Sequence, residues 1–152
     1  METPEIISCQ ARPSAVVRGT VPMDQVRTFY DRSFTLVAEV LARQGVQPAE
    51  AFGHYLSPPS DTLTLEVGFT VPAPVAGEGE VLAAELPAGR AAFATHLGPY
   101  DDLGAAWGRL GEWIGAQGHT PGPDLWEVYV TEPTPTTDPA TLRTDLYWLL
   151  AD

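Results

Sequence analysis

The chain has 152 residues, 44% hydrophobic and 18% charged, which is long enough to bury a core and too apolar for a disordered segment. Eight basic residues, all Arg, stand against 20 acidic ones for a net charge of −12, so the surface repels polyanions and no direct nucleic-acid partner is expected. No run reaches the roughly 18–20 apolar residues of a membrane span, so no membrane partner is expected either.

Residues 1–10 contain two acids, no basic residue and no long apolar run, unlike a secretory leader. Cys9 is the single cysteine and can form no internal disulfide, which points to a reducing, cytoplasmic setting. Residues 6–21 read as extended chain broken at Pro13. A helix is predicted over 22–43, with Pro22 ahead of its first turn and Asp24 near its N-terminus. Val26, Tyr30, Val37 and Leu41 recur there at helical spacing, and Gly45 supplies the stop. Strands follow at 51–57 and 63–71 around the turn-forming Pro58-Pro59-Ser60-Asp61. Residues 72–80, with two Pro and two Gly, form a connector.

The second half repeats this order. Strands are predicted at 81–86 and 91–97, a helix from 100 to 117 ending at Gly118, and strands at 125–131 and 144–150. Landmarks align the halves: Pro22 with Pro99, Asp24 with Asp101, Gly45 with Gly118, Tyr55 with Tyr129, Glu66 with Asp145. The expected architecture is one α+β domain over 1–152, with pseudo-repeats at about 5–71 and 81–150. Their strands are expected to merge into one antiparallel sheet with a ligand cleft between the halves.

Two segments stand out chemically. In the second helix Leu103, Trp107, Leu110 and Ile114 form an apolar stripe, and Gly104, Gly108, Gly111 and Gly115 repeat its spacing one residue later. Four interior glycines cost a helix roughly 0.5–1 kcal/mol each relative to Ala. They fit either tight helix–sheet packing or room for a planar ligand beside Trp107. In Leu125-Trp126-Glu127-Val128-Tyr129-Val130, alternation puts Leu125, Glu127 and Tyr129 on one side and Trp126, Val128 and Val130 on the other. A carboxylate buried among hydrophobes is costly unless paired, and suits either attraction of a cation or acid–base work. The alternative is an exposed face with a solvated Glu127. His54, His96 and His119 are too scattered for a local metal motif, and no cofactor pattern is present. His96 adjoins the Gly98-Pro99 turn and suits a cap on the entry to the second helix.

These segments also carry a resemblance. Glu85-Leu86-Pro87-Ala88-Gly89-Arg90, His96-Leu97-Gly98-Pro99-Tyr100 and Trp126-Glu127-Val128-Tyr129 resemble the signature order of GyrI-like small-molecule-binding domains. Gly53-His54-Tyr55 and Leu65-Glu66-Val67-Gly68-Phe69-Thr70-Val71 resemble that family's first-half signature. The same domain forms the effector-binding half of AraC- and MerR-type multidrug regulators. The resemblance implies duplicated βαββ units of the SHS2 type on one curved sheet, with two helices bordering a central cleft. It implies a bulky aromatic or cationic ligand held against Glu127, with Tyr129 beside it. Trp107 and Tyr55 join the ligand-binding set by fold and repeat symmetry. Stand-alone relatives include hydrolases of cyclopropanoid-type electrophilic toxins, for which Glu127 and Tyr129 would be the catalytic pair, and inhibitors that contact DNA gyrase. The expectation is therefore small-molecule binding, with hydrolysis in the same cleft and a gyrase-type protein contact as alternatives. No metal or cofactor is called for.

Overall fold

A computed structural model describes residues 3–56, 61–131 and 136–151. The strands are β1 (Glu5–Cys9), β2 (Arg12–Pro22), β3 (Ala51–Tyr55), β4 (Thr62–Thr70), β5 (Val81–Leu86), β6 (Gly89–Leu97), β7 (Pro121–Tyr129) and β8 (Arg143–Leu150). The helices are α1 (Val26–Arg43) and α2 (Leu103–Ala116), each entered through a short 3-10 turn. The α+β class read from the sequence holds. Of the turn expected at 58–61, residues 58–60 lie outside the described residues.

The chain forms two compact units, residues 10–88 and residues 1–9 with 89–152. In the first, strands run in the order β3-β4-β2-β5, all antiparallel. Phe29, Ser33, Val37, Val40 and Leu41 line the buried side of α1. The four apolar ones pack with Val17, Leu63, Leu65 and Val67 of the sheet, so the 3.6-residue stripe meets the two-residue alternation of the strands. In the second unit the order is β7-β8-β6-β1, again antiparallel. Ala106, Leu110 and Ile114 of α2 pack with Ala92, Ala94 and Leu146.

Both helices end in the same way. Gly45 and Gly118 take φ of +68° and +78°, the left-handed conformation in which a β-carbon is strained. The N–H of Gly45 donates to the Ala42 carbonyl and that of Val46 to the Leu41 carbonyl. Gly118 and His119 repeat those bonds to Gly115 and Ile114, which completes a Schellman motif in each unit.

Two features of the strands differ from the order read along the sequence. The extended N-terminal stretch breaks at Gln10 and Ala11; Pro13 lies inside β2 opposite Glu85. And β5, which opens the second pseudo-repeat in sequence, pairs with β2, while β1 pairs with β6. A two-residue hairpin wants positive φ at its centre, and Pro87-Ala88 supplies none. The chain therefore runs on from β5 instead of folding back. Among the described residues no helix is long and apolar enough to cross a membrane.

Candidate functional site

The distinctive chemistry gathers in the second unit, on β7 and the helix packed over it. Glu127 stands opposite Leu146 in the β7–β8 ladder and is 2% exposed. The exposed alternative for this strand face is therefore excluded. The alternation read from the sequence holds: Trp126 stacks on Tyr147, with ring centroids 5.4 Å apart and planes 7° from parallel. Glu127 points the opposite way, and Trp107 Nε1 of α2 donates to its Oε1 at 3.3 Å. A charge-assisted bond of this kind offsets part of the cost of removing the carboxylate from water.

Tyr129 lies two residues along the same strand, half-buried, with its ring edge-on to Tyr100 at 5.7 Å and 69°. Tyr100, 37% exposed, begins the 3-10 turn that leads into α2. Its phenol is pushed above the ordinary value by partial burial and by the negative charge of Glu127. Tyr100 was not singled out in the sequence, although it closes the His96-to-Tyr100 segment that carries the resemblance. The turn is braced by His96, whose Nε2 lies 3.1 Å from the Pro99 carbonyl oxygen. This is a contact to a carbonyl and not the N-terminal cap expected of it, and among the described residues neither the 3-10 turn nor α2 carries a side-chain cap.

Tyr55, the remaining candidate, belongs to the first unit. Its hydroxyl is 2.9 Å from that of Tyr30 on α1. The ladders place it as the counterpart of Tyr129: Gly53 faces Val67 and His54 faces Glu66, as Glu127 faces Leu146 and Val128 faces Asp145. Gly53 therefore holds the position that Glu127 holds in the second unit. A β-carbon at Gly53 would lie 2.1 Å from the Tyr30 hydroxyl oxygen. Tyr30 shares with Trp107 the same offset that relates Pro22 to Pro99, so each helix lays one aromatic residue over this strand position. In one unit the aromatic meets a carboxylate; in the other it meets a glycine.

The glycines of α2 are not a packing seam. Nothing among the described residues approaches a β-carbon built at Gly104, Gly108 or Gly115, and all three are exposed. Gly111 alone is packed, with Trp148 Cζ3 at 3.2 Å from its built β-carbon. A depression of about 370 Å³ in the first unit, lined by Gln44 to Gln47 and Pro72 to Ala76, contains no ionisable side chain and none of the candidate residues. Among the described residues no group of three or more His, Cys, Asp or Glu is placed to hold a metal ion.

No curated protein matches the sequence. The fold is similar to the C-terminal domain of EcmrR at a TM-score of 0.86 and 19% identity, covering 99% of this chain and 98% of that one. Against EcmrR in its complex with DNA the TM-score is 0.83 at 19% identity; the match covers 97% of this chain and spans 57% of that one. SAV2435, solved bound to tetraphenylphosphonium, matches at 0.72 and 10% identity over 98% and 94% of the two chains. A hydrolase from Listeria innocua matches at 0.65 and 14% identity over 97% and 91%. At these identities the likeness is one of fold. The sequence itself matches a family description over residues 2–151, nearly its full length, and the chain belongs to the GyrI-like small molecule binding domains.

Proposed function

We propose that the chain binds a bulky hydrophobic cation, with Glu127 as the carboxylate that meets the positive charge and Trp107 and Tyr129 of the same unit as its aromatic contacts. The observation that carries this reading is the burial of Glu127 beneath an indole, with two phenols close by. A carboxylate in such surroundings favours a diffuse, weakly hydrated cation, and aromatic faces add cation–π attraction. The family supplies the ligand size class, and SAV2435 supplies a probe of matching chemistry.

The test is calorimetric titration with tetraphenylphosphonium. Saturable binding to the wild type is expected, weakened at least about tenfold in Glu127→Gln, the scale of losing one buried charge partner. No binding to the wild type, or equal binding to the variant, would sink the proposal.

A second reading draws on the same group of residues. A carboxylate beside tyrosines suits addition of water to a strained, cyclopropanoid-type electrophile. Glu127 would take a proton from water while Tyr129 supplied one to the opening ring. Mass spectrometry of a cyclopropane-bearing electrophile after incubation decides this. A water adduct that vanishes in Glu127→Gln supports hydrolysis, and intact compound refutes it.

A further inference from the structure

Behind Trp107 stands a second tryptophan that the binding reading does not use. Trp148 of β8 meets Trp107 edge to face, with centroids 5.8 Å apart at 75°. Its own indole N–H donates to the Gly122 carbonyl at 2.9 Å, where β7 shifts register between Pro121 and Leu125. Its ring edge reaches the helix at Gly111, the one packed glycine of the stripe. Trp148 is thus fixed from two sides, by the strand backbone and by the helix, and its remaining flank bears on Trp107.

We infer that Trp148 is a positioning residue: it holds the Trp107 indole in the orientation that donates to Glu127, and Gly111 is glycine so that Trp148 can sit against the helix. Trp107 has two rotatable side-chain bonds, and a 3.3 Å bond to a buried carboxylate does not by itself select one rotamer. The edge-to-face contact supplies the directional constraint, since aromatic pairs prefer that geometry. The relay runs Gly111, Trp148, Trp107, Glu127, with each neighbour in contact across α2, β8 and β7. This inference rests on the binding reading only for its effect on affinity, because the indole–carboxylate bond exists without ligand.

The experiment therefore has two independent readouts on the full chain. In proton–nitrogen spectra of the ligand-free protein, the Trp107 indole resonance is identified by its loss in Trp107→Phe and its upfield shift in Glu127→Gln. Trp148→Phe, which keeps a ring but loses the bond to Gly122, is expected to move that resonance in the same direction. Gly111→Ala, which presses on Trp148 without touching Trp107, does the same and serves if Trp148→Phe folds poorly. A Trp107 resonance left at its wild-type position in both variants overturns the relay, whether or not tetraphenylphosphonium binds. Where it does bind, Trp148→Phe weakens it by about fivefold to tenfold in the wild type and adds nothing in a Trp107→Phe background. An equal further loss in that background refutes action through Trp107. An absence of binding to the wild type counts against the binding reading alone.

Discussion

At Gly53 the Tyr30 hydroxyl occupies the space a side chain would need. Gly53→Ala must displace that ring and with it the Tyr30–Tyr55 hydrogen bond. A loss of about 1–3 kcal/mol in urea unfolding is expected, the range for overpacking and for a disturbed hydrogen bond. Glu66 shows how a second buried acid is handled one residue from that position in the ladder. Only 4% exposed, it takes Arg18 Nε at 2.9 Å and lies 3.4 Å from His54 Nδ1. Burial alone would raise its pKa, but the contacts to His54 and Arg18 outweigh burial and hold it below the ordinary 4.5. A depressed acid stabilises the fold above its unfolded value, and that contribution is lost as pH falls through the folded one. Stability should therefore drop on acidification below pH 4.5. Glu66→Gln should flatten that limb while costing about 1–2 kcal/mol at neutral pH, since Arg18 is half exposed and solvent screens the pair. Unfolding midpoints at several pH values check both. The faces taken by Glu127, Trp107 and Tyr129 were legible because strand alternation and helical spacing fix which way a side chain points. The contact of Trp148 with Trp107 was not, because it depends on the spacing between a helix and a strand, which no local period encodes. Tyr30 was within reach, since the landmarks that align Pro22 with Pro99 also align it with Trp107.

The glycines of α2 separate into two kinds once the helix is in place. At Gly104, Gly108 and Gly115 a methyl group meets open space, so replacement by Ala should stabilise the protein by about 0.5–1 kcal/mol per site through helix propensity. At Gly118 the same change should cost about 1 kcal/mol, because the positive φ that closes the Schellman motif strains a β-carbon. Thermal unfolding of the single variants distinguishes these signs, and a uniform response would contradict the division. Sequence alone could not make it, because a repeated glycine reads as close packing until the neighbour is located. The helix stops were legible, since a left-handed cap demands glycine at one position whatever surrounds it. Ion pairs from α1 to the connector, Arg32 with Glu80 and Arg43 with Glu78, are exposed at both partners and contribute little each.

For the whole molecule, the repeat was legible as an order of elements but not as a set of strand partners. Alternating apolar residues tell a strand which face to bury, whereas the choice of neighbour depends on chain reversals such as Pro87-Ala88 and on contacts distant in sequence. The ladders still match the landmarks residue for residue at Tyr55 and Tyr129 and at Glu66 and Asp145, and they add the equivalence of Gly53 with Glu127. Because β1 completes the edge next to β6, removing residues 1–9 should deprotect β6 amides to hydrogen exchange while leaving β2 and β4 protected. Equal loss in both sets would mean that the two units unfold as one.

The pairing of Cys9 with Gly89 also sets an order of assembly on the ribosome. Every strand of the unit spanning residues 10–88 has been made once Ala88 emerges, so its ladder can close while synthesis continues. β1 is translated before them but cannot form its ladder until β6 follows. Of the described strands it is made first, yet it pairs only after β2 to β5 have been made. A nascent chain stalled before Gly89 would hold β1 out as an unpaired edge, open to chaperones or to another copy of itself.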